Sequence, residues 1–163
     1  LRRNFYKKYD VAGLPFLDEK SNIYKHTSNL IIYGHNMNDG TMFRDVLKYK
    51  KYDYYQNHKI IKFDTLYEEG EYEIIAVFLS KIYTVKDDVF KYYQFYGANT
   101  KEEFDSFINN VKKLSLYDTK VSAEFGDQLL TLSTCEYYTD DGRMVIVAKK
   151  ITRDVVKWLT KVI

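Results

Sequence analysis

The sequence predicts a mostly β fold: a closed or nearly closed antiparallel barrel with inserted helices, including a long one before the strand that carries the cysteine. Three observations lead there. Apolar runs at 30–33, 60–63, 72–79, 128–134 and 144–148 are short and bounded by turn-forming residues. The 17 tyrosines and 10 phenylalanines suit pleated surfaces, although an aromatic-rich core reads equally well. Only one segment keeps a long helical period. Closure into a barrel is the economical arrangement for such a set, because it removes exposed strand edges.

Taken in order, the first residues are charged and irregular, with Gly13-Leu14-Pro15 as a turn. Leu30-Ile31-Ile32-Tyr33 reads as a buried strand that stops at Gly34-His35-Asn36. Met42, Phe43, Val46 and Leu47 fall on one helical face, so a short helix is expected after Asp39-Gly40. Two strands at 60–63 and 72–79 follow, separated by a turn at Glu69-Gly70. Thr100 with Glu103 forms a capping box ahead of Phe104, Phe107, Ile108, Val111 and Leu114, which predicts a helix over Lys101–Leu114. The strands at 128–134 and 144–148 are joined by 136–142, where Asp141-Gly142 is a turn signal, and so predict a long-looped hairpin. Val155, Leu159 and Val162 would suit a short terminal helix.

A chain of 163 residues is expected to form one domain, 1–163, large enough to bury a core without staples. It is 45% hydrophobic and 29% charged, and 25 basic side chains against 23 acidic ones leave a formal charge of only +2. That balance argues against a dedicated nucleic-acid binder. No run reaches the roughly 18 apolar residues of a membrane span. One cysteine excludes an internal disulfide, and without Cys/His clusters a structural zinc site is not expected.

The cysteine, Cys135, sits at the end of a strand, where a rigid element fixes a side chain and the following loop exposes it. A thiol in that position can act as a nucleophile; it can equally be a small core hydrophobe. Arg143 opens the returning strand and approaches Cys135 if the two strands pair, where a guanidinium could lower the thiol pKa or hold a carbonyl oxygen. An ordinary solvated arginine is the alternative. Of three histidines, His26 and His58 lie in polar surroundings and read as surface residues, whereas His35 follows a strand as Cys135 does. Asn36, Asp39 and Asp140 are candidate orienting groups, and spacing does not select among them.

Thr131-Leu132-Ser133-Thr134-Cys135, the downstream Arg143 and the upstream Tyr33-Gly34-His35-Asn36-Met37 together resemble the signature of the sortases, cysteine transpeptidases of the Gram-positive cell surface. The resemblance covers about residues 29–149. It implies a sortase-like barrel in which Cys135 is the nucleophile, His35 the catalytic histidine and Arg143 the catalytic arginine. The Gly-His-Asn-Met turn and a helix-bearing insertion at about 86–119 are most like class B. Class B enzymes typically anchor haem-uptake proteins, and their sorting signals resemble Asn-Pro-Gln-Thr-Asn or (Ser/Asn)-Pro-x-Thr-Gly.

By the same resemblance, cleavage after the threonine of the signal forms a thioacyl-enzyme, and a peptidoglycan precursor amine resolves it. No metal or cofactor is implied. Asn36, Thr134, Tyr137 and Tyr138 are candidates for substrate contact, with Tyr83, Tyr92, Tyr93 and Tyr96 as further tyrosines around the groove. The expected location is the extracellular face of the cytoplasmic membrane. Membrane association would come only through an N-terminal anchor, which this chain is expected to lack along with the first elements of the domain. Two alternatives remain open: a cysteine peptidase with water as acceptor, and a catalytically silent peptide-binding barrel.

Overall fold

The computed structural model describes residues 2–24, 27–135 and 141–152. Its described strands are β1 (Phe16–Leu17), β2 (Asn29–Gly34), β3 (Ile60–Lys62), β4 (Glu71–Lys81), β5 (Leu129–Cys135) and β6 (Gly142–Lys150). The helices are α1 (Tyr52–Asn57) and α2 (Lys101–Leu114), with 3-10 turns at Phe43–Lys50 and Tyr92–Gln94. The six strands form one sheet in the order β1-β2-β5-β6-β4-β3.

This order overturns the closed antiparallel barrel expected from sequence. β2 and β5 run parallel, Leu30 beside Leu130 and Gly34 beside Thr134. The outermost strands, β1 and β3, pair only with β2 and β4 and not with each other. The sheet is mixed and open. It nevertheless curls, since Phe16 and Leu17 at one end and Ile61 and Phe63 at the other line the same apolar cleft of about 680 Å³. The physical reason is the connection between β2 and β5. A parallel pair needs a crossover of a dozen or more residues, and residues 35–128 supply one that carries both helices and two strands. Apolar patterning reports burial, not strand direction.

Several local expectations hold. α2 spans Lys101–Leu114, and the Thr100 hydroxyl accepts from Glu103 N–H at 3.3 Å. Glu103 Oε2 in turn accepts from Asn99 N–H, so the capping box closes one residue earlier than the standard form. β5 and β6 pair antiparallel, with Cys135 opposite Arg143. The segment after Gly40 is a 3-10 turn rather than an α-helix. α1 and β1 were not expected from the sequence. The proposed terminal helix (Val155, Leu159, Val162), His26 and the tip of the β5–β6 loop lie outside the described residues.

The sheet packs on both faces. On one, Phe104, Phe107, Ile108 and Val111 of α2 are buried against Ala76, Phe78, Val145 and Val147. Phe95 stacks on Phe107 with ring centres 3.9 Å apart. On the other face, Leu30, Ile32, Val46, Val77, Leu130, Met144 and Ile146 form a second cluster. A bulge in β4 makes this possible. Ile74 pairs with Ala148 and Ala76 with Val147, so Ile75 is the extra residue and the facing of β4 switches there. Each fully buried side chain of this size contributes about 1.5–3 kcal/mol. Past α2, Leu116 N–H donates to Val77 O and Ser115 Oγ accepts from Val77 N–H, which covers part of the outer edge of β4.

Candidate active site

Three neighbouring strands bring the site together. Cys135 ends β5, and Arg143 lies directly opposite it on β6. β2 runs parallel to β5 with Gly34 beside Thr134, so the next residue, His35, falls beside Cys135. The row is therefore His35–Cys135–Arg143, with strands spaced about 4.8 Å apart. Alternation puts all three on one face. A Cβ on Gly34 would meet the Phe43 ring at 2.5 Å, in the cluster away from α2. His35, one residue on, points to the opposite side. Ser133, two residues before Cys135, is bonded to Tyr92 on the α2 side, and so Cys135 faces that side as well.

The strand under the thiol is held by its own hydroxyls. Thr131 Oγ1 donates to Asn29 Oδ1 at 2.9 Å, Ser133 Oγ and Tyr92 Oη are 2.8 Å apart, and Thr134 Oγ1 donates to Gly34 O at 2.8 Å. All three hydroxyl residues are buried. A buried polar group without a partner costs about 1–3 kcal/mol, so these ties fix one position of β5 against β2 and the insertion. Thr134, a candidate for substrate contact, has its hydroxyl engaged in this way on the face away from the thiol.

Asn36 is a second strut. Its Nδ2 donates to Cys135 O at 3.1 Å, and its Oδ1 accepts from Arg44 Nη1 at 3.0 Å. The chain after His35 is turned back by His35 O accepting from Phe43 N–H at 2.9 Å and by an Asn36–Met42 bridge. Arg44 was not singled out from sequence, and no local signal marks it, because its role depends on a fold-back eight residues long.

The electrostatics centre on this row. Cys135 is half-buried and unpaired. His35 Nε2 is buried and has no hydrogen-bond partner among the described residues. A buried polar atom without a partner is rare in a folded protein, and this one lies beside the thiol at a strand end. Arg143 Nη1 donates to the carbonyls of Asp141 and Gly142 at 3.2 and 2.8 Å, which ties the guanidinium to its own turn. Burial pushes the Tyr92 phenol up to about 12, while the Ser133 hydrogen bond and the Arg143 charge pull it back. Tyr92 is thus within electrical reach of the row.

The remaining tyrosines divide. Tyr93 Oη accepts from Tyr83 N–H at 3.1 Å and donates to Tyr83 O at 3.2 Å, pinning the insertion to itself. Tyr33 and Tyr96 both hydrogen-bond Asp18; burial is the main cause that raises each phenol, and the carboxylate adds to it. Asp39 bonds Thr41 and is fully exposed. Tyr137, Tyr138 and Asp140 lie outside the described residues.

An open mixed sheet with a thiol at a strand end, beside an imidazole and a guanidinium, is the class of fold and residue grouping that the chain presents. The family comparison is more specific. A sortase domain model matches residues 6–151, and the chain belongs to the sortase family. It is 32% identical over 153 residues to sortase B of Staphylococcus aureus, covering 93% of this chain and 60% of that protein. It is 34% identical over 155 residues to sortase B of Listeria monocytogenes, covering 94% of this chain and 60% of that one. The structure of a Staphylococcus aureus sortase B–substrate complex superposes with a TM-score of 0.79 at 28% identity, over 93% of this chain and 68% of the other. The likeness to class B expected from the Gly-His-Asn-Met turn and the insertion is borne out. The chain spans about 60% of the length of these two curated relatives.

Proposed function

We propose that this chain carries the catalytic core of a class B-type cysteine transpeptidase. In this reading the Cys135 thiol gives its proton to His35 and attacks the carbonyl carbon of the threonine in an extended sorting signal. Arg143 and a backbone N–H hold the oxyanion. The carbon–nitrogen bond then breaks, and His35 protonates the departing amine. The resulting thioester is opened by an amine of a peptidoglycan precursor, whose proton returns to His35. The sorting signal is of the Asn-Pro-Gln-Thr-Asn or (Ser/Asn)-Pro-x-Thr-Gly kind. The place of work is the cell surface at the outer face of the cytoplasmic membrane. Among the described residues, no helix is long and apolar enough to cross a membrane.

The observation that carries this reading is the register row. β2, β5 and β6 bring His35, Cys135 and Arg143 side by side on one face, in the family's order. Asn36 and Thr134 act in it as struts that aim the row. Tyr137 and Tyr138, two and three positions after the cysteine, are the proposed grips on the signal.

The test is incubation of the protein with a sorting-signal peptide, with and without an oligoglycine amine, followed by mass analysis of the products. Transfer predicts an amine adduct that displaces the free acid as the oligoglycine is raised. Equal hydrolysis in both arms would leave a cysteine peptidase. No cleavage and no thioester, from a protein whose Cys135 reacts with a methanethiosulfonate only after denaturation, would leave a catalytically silent peptide-binding domain.

A further inference from the structure

We propose that Arg44 is a positioning residue of the site: acting through the Asn36 amide, it fixes the Cys135 carbonyl and so sets the thiol against the imidazole. Backbone pairing of β2 with β5 ends at Gly34 and Thr134, one residue short of His35 and Cys135. A side chain supplies the tie beyond that point. Asn36 Nδ2 donates to Cys135 O at 3.1 Å, so the two reactive residues lie between the last ladder pair and this bond.

Arg44 decides which way that amide points. Its Nη1 donates to Asn36 Oδ1 at 3.0 Å. A guanidinium only donates and a carbonyl only accepts, so the arginine takes the amide oxygen and leaves the nitrogen to Cys135. Asn36 is only 3% exposed, and water does not readily replace a lost partner there. Among the described residues, no carboxylate pairs with Arg44. Its charge is therefore not cancelled at close range, and it polarises the amide toward a stronger bond with the Cys135 carbonyl.

The chain is shaped to bring Arg44 there. The Phe43 ring lies against Gly34, where a side chain would collide with it. Phe43 N–H donates to His35 O at 2.9 Å, and Asn36 bridges Met42. Met42 itself takes a left-handed φ of 59°, which a residue other than glycine adopts at a cost. Such a conformation at the foot of the 3-10 turn persists because its neighbours enforce it. One fold-back thus holds His35 and returns Arg44 to Asn36. A latch that only closed this turn would bond the turn's own backbone; the guanidinium reaches instead a side chain that also binds the cysteine. The brace stands on its geometry, and its effect on catalysis rests on the transpeptidase reading.

The experiment reads the Cys135 carbonyl directly. Cys135 is the sole cysteine, so protein grown on cysteine labelled with carbon-13 at the carbonyl gives one resonance, from the bonded group itself. Arg44→Met keeps the aliphatic stem and removes the donors. It is expected to move that resonance upfield, in the direction of Asn36→Ala, and Arg44→Lys is expected to recover part of the shift. With a sorting-signal peptide, Arg44→Met is expected to lose at least about tenfold in kcat with KM within about twofold, since alignment and not binding is disturbed. Asn36→Ala/Arg44→Met is expected to be no worse than Asn36→Ala alone, because the arginine acts through the amide. Circular dichroism checks that each variant is folded. If Arg44→Met fails that check, Arg44→Gln, a neutral donor, is expected to give a smaller shift of the same sign. An unmoved resonance in the folded variant overturns the proposal. So does a parental kcat, or a rise in KM alone, which would make Arg44 a substrate contact. A double variant whose loss is the product of the two single losses overturns it too. A parent that cleaves no sorting peptide would end the transpeptidase reading, and the carbonyl resonance would still decide whether Arg44 holds Cys135.

Discussion

The two sides of β5 are completed differently. Toward α2, Thr131, Ser133 and Cys135 face an insertion whose Tyr92, Phe95, Phe104 and Phe107 close over the sheet. Toward the other side, Leu130 and Leu132 look into a cleft bounded by β1 and β3, two short edges that do not meet. On the first side, packing and hydrogen bonds hold each group in one place, and the thiol emerges only where that order ends. On the second, apolar surface is left open and only Thr134 is tied. The proposed chemistry sits on the side that is fully built, as positioning to within an ångström demands. If this contrast is right, changes on the α2 side should be costly in ways that separate chemistry from stability, and changes in the cleft should be mild.

The largest effect should come from Cys135→Ala. Removing the thiol leaves no other cysteine in the sequence. Turnover of a sorting peptide is expected to vanish while the thermal transition stays within about 0.5 kcal/mol of the parent, because the side chain is small and half-buried. Residual cleavage at the parent rate would end the covalent mechanism.

Next in size is Phe107→Ala. Phe107 is buried, stacks on Phe95 and touches Phe90, so a cavity there should cost about 3–5 kcal/mol in chemical denaturation. Phe16→Ala, in the open cleft, should cost about 1 kcal/mol, since its ring is only partly covered and meets Tyr33 at 5.3 Å. Similar losses at both positions would erase the contrast between the two sides. The same burial makes α2 a piece of core first: its deletion should unfold the domain rather than merely loosen substrate recognition.

Arg143→Lys separates charge from geometry. Lysine retains the charge opposite Cys135 but not the planar fork that now reaches two turn carbonyls. A loss of at least tenfold in kcat/KM is expected, about 1.4 kcal/mol or more of transition-state stabilisation. A near-parental value would reduce Arg143 to a distant charge.

Which parts were legible in the sequence follows from the same contrast. α2 was readable to the residue because its cap and its apolar period are local. The β5–β6 pairing was readable because a turn signal links adjacent strands. The parallel β2–β5 pair was not, since nothing local encodes which of two distant strands lies beside another, and the barrel was wrongly closed for that reason. The catalytic candidates stood out through residue type and motif. Their supports did not. Thr131 and Ser133 look like ordinary polar residues until the fold brings Asn29 and Tyr92 to them, and Asn36, a candidate orienting group, cannot be chosen over Asp39 and Asp140 until Arg44 meets it. Thr134 reads as a substrate contact from its place beside the cysteine, whereas strand alternation turns its hydroxyl to Gly34.

The smallest predicted effect tests one of those supports. Tyr92→Phe keeps the ring and removes the Oη that partners Ser133 at 2.8 Å. The Ser133 hydroxyl would remain buried, so a loss of about 1 kcal/mol is expected at neutral pH. The alkaline limb gives an independent reading. Burial holds the folded-state Tyr92 phenol near 12, above the ordinary value of 10.0. The unfolded chain therefore releases this proton first, and the folded state binds more protons between about pH 10 and 12. Stability is unaffected by this group below pH 10 and falls as pH climbs from there toward 12. Tyr33, Tyr49 and Tyr117 are raised by burial as well and steepen the same limb in the parent. Tyr92→Phe should start lower at pH 7 and decline less steeply above pH 10, so the two curves converge. Parallel curves would mean that Tyr92 ionises freely in the folded protein and does not hold the cysteine strand from a buried position.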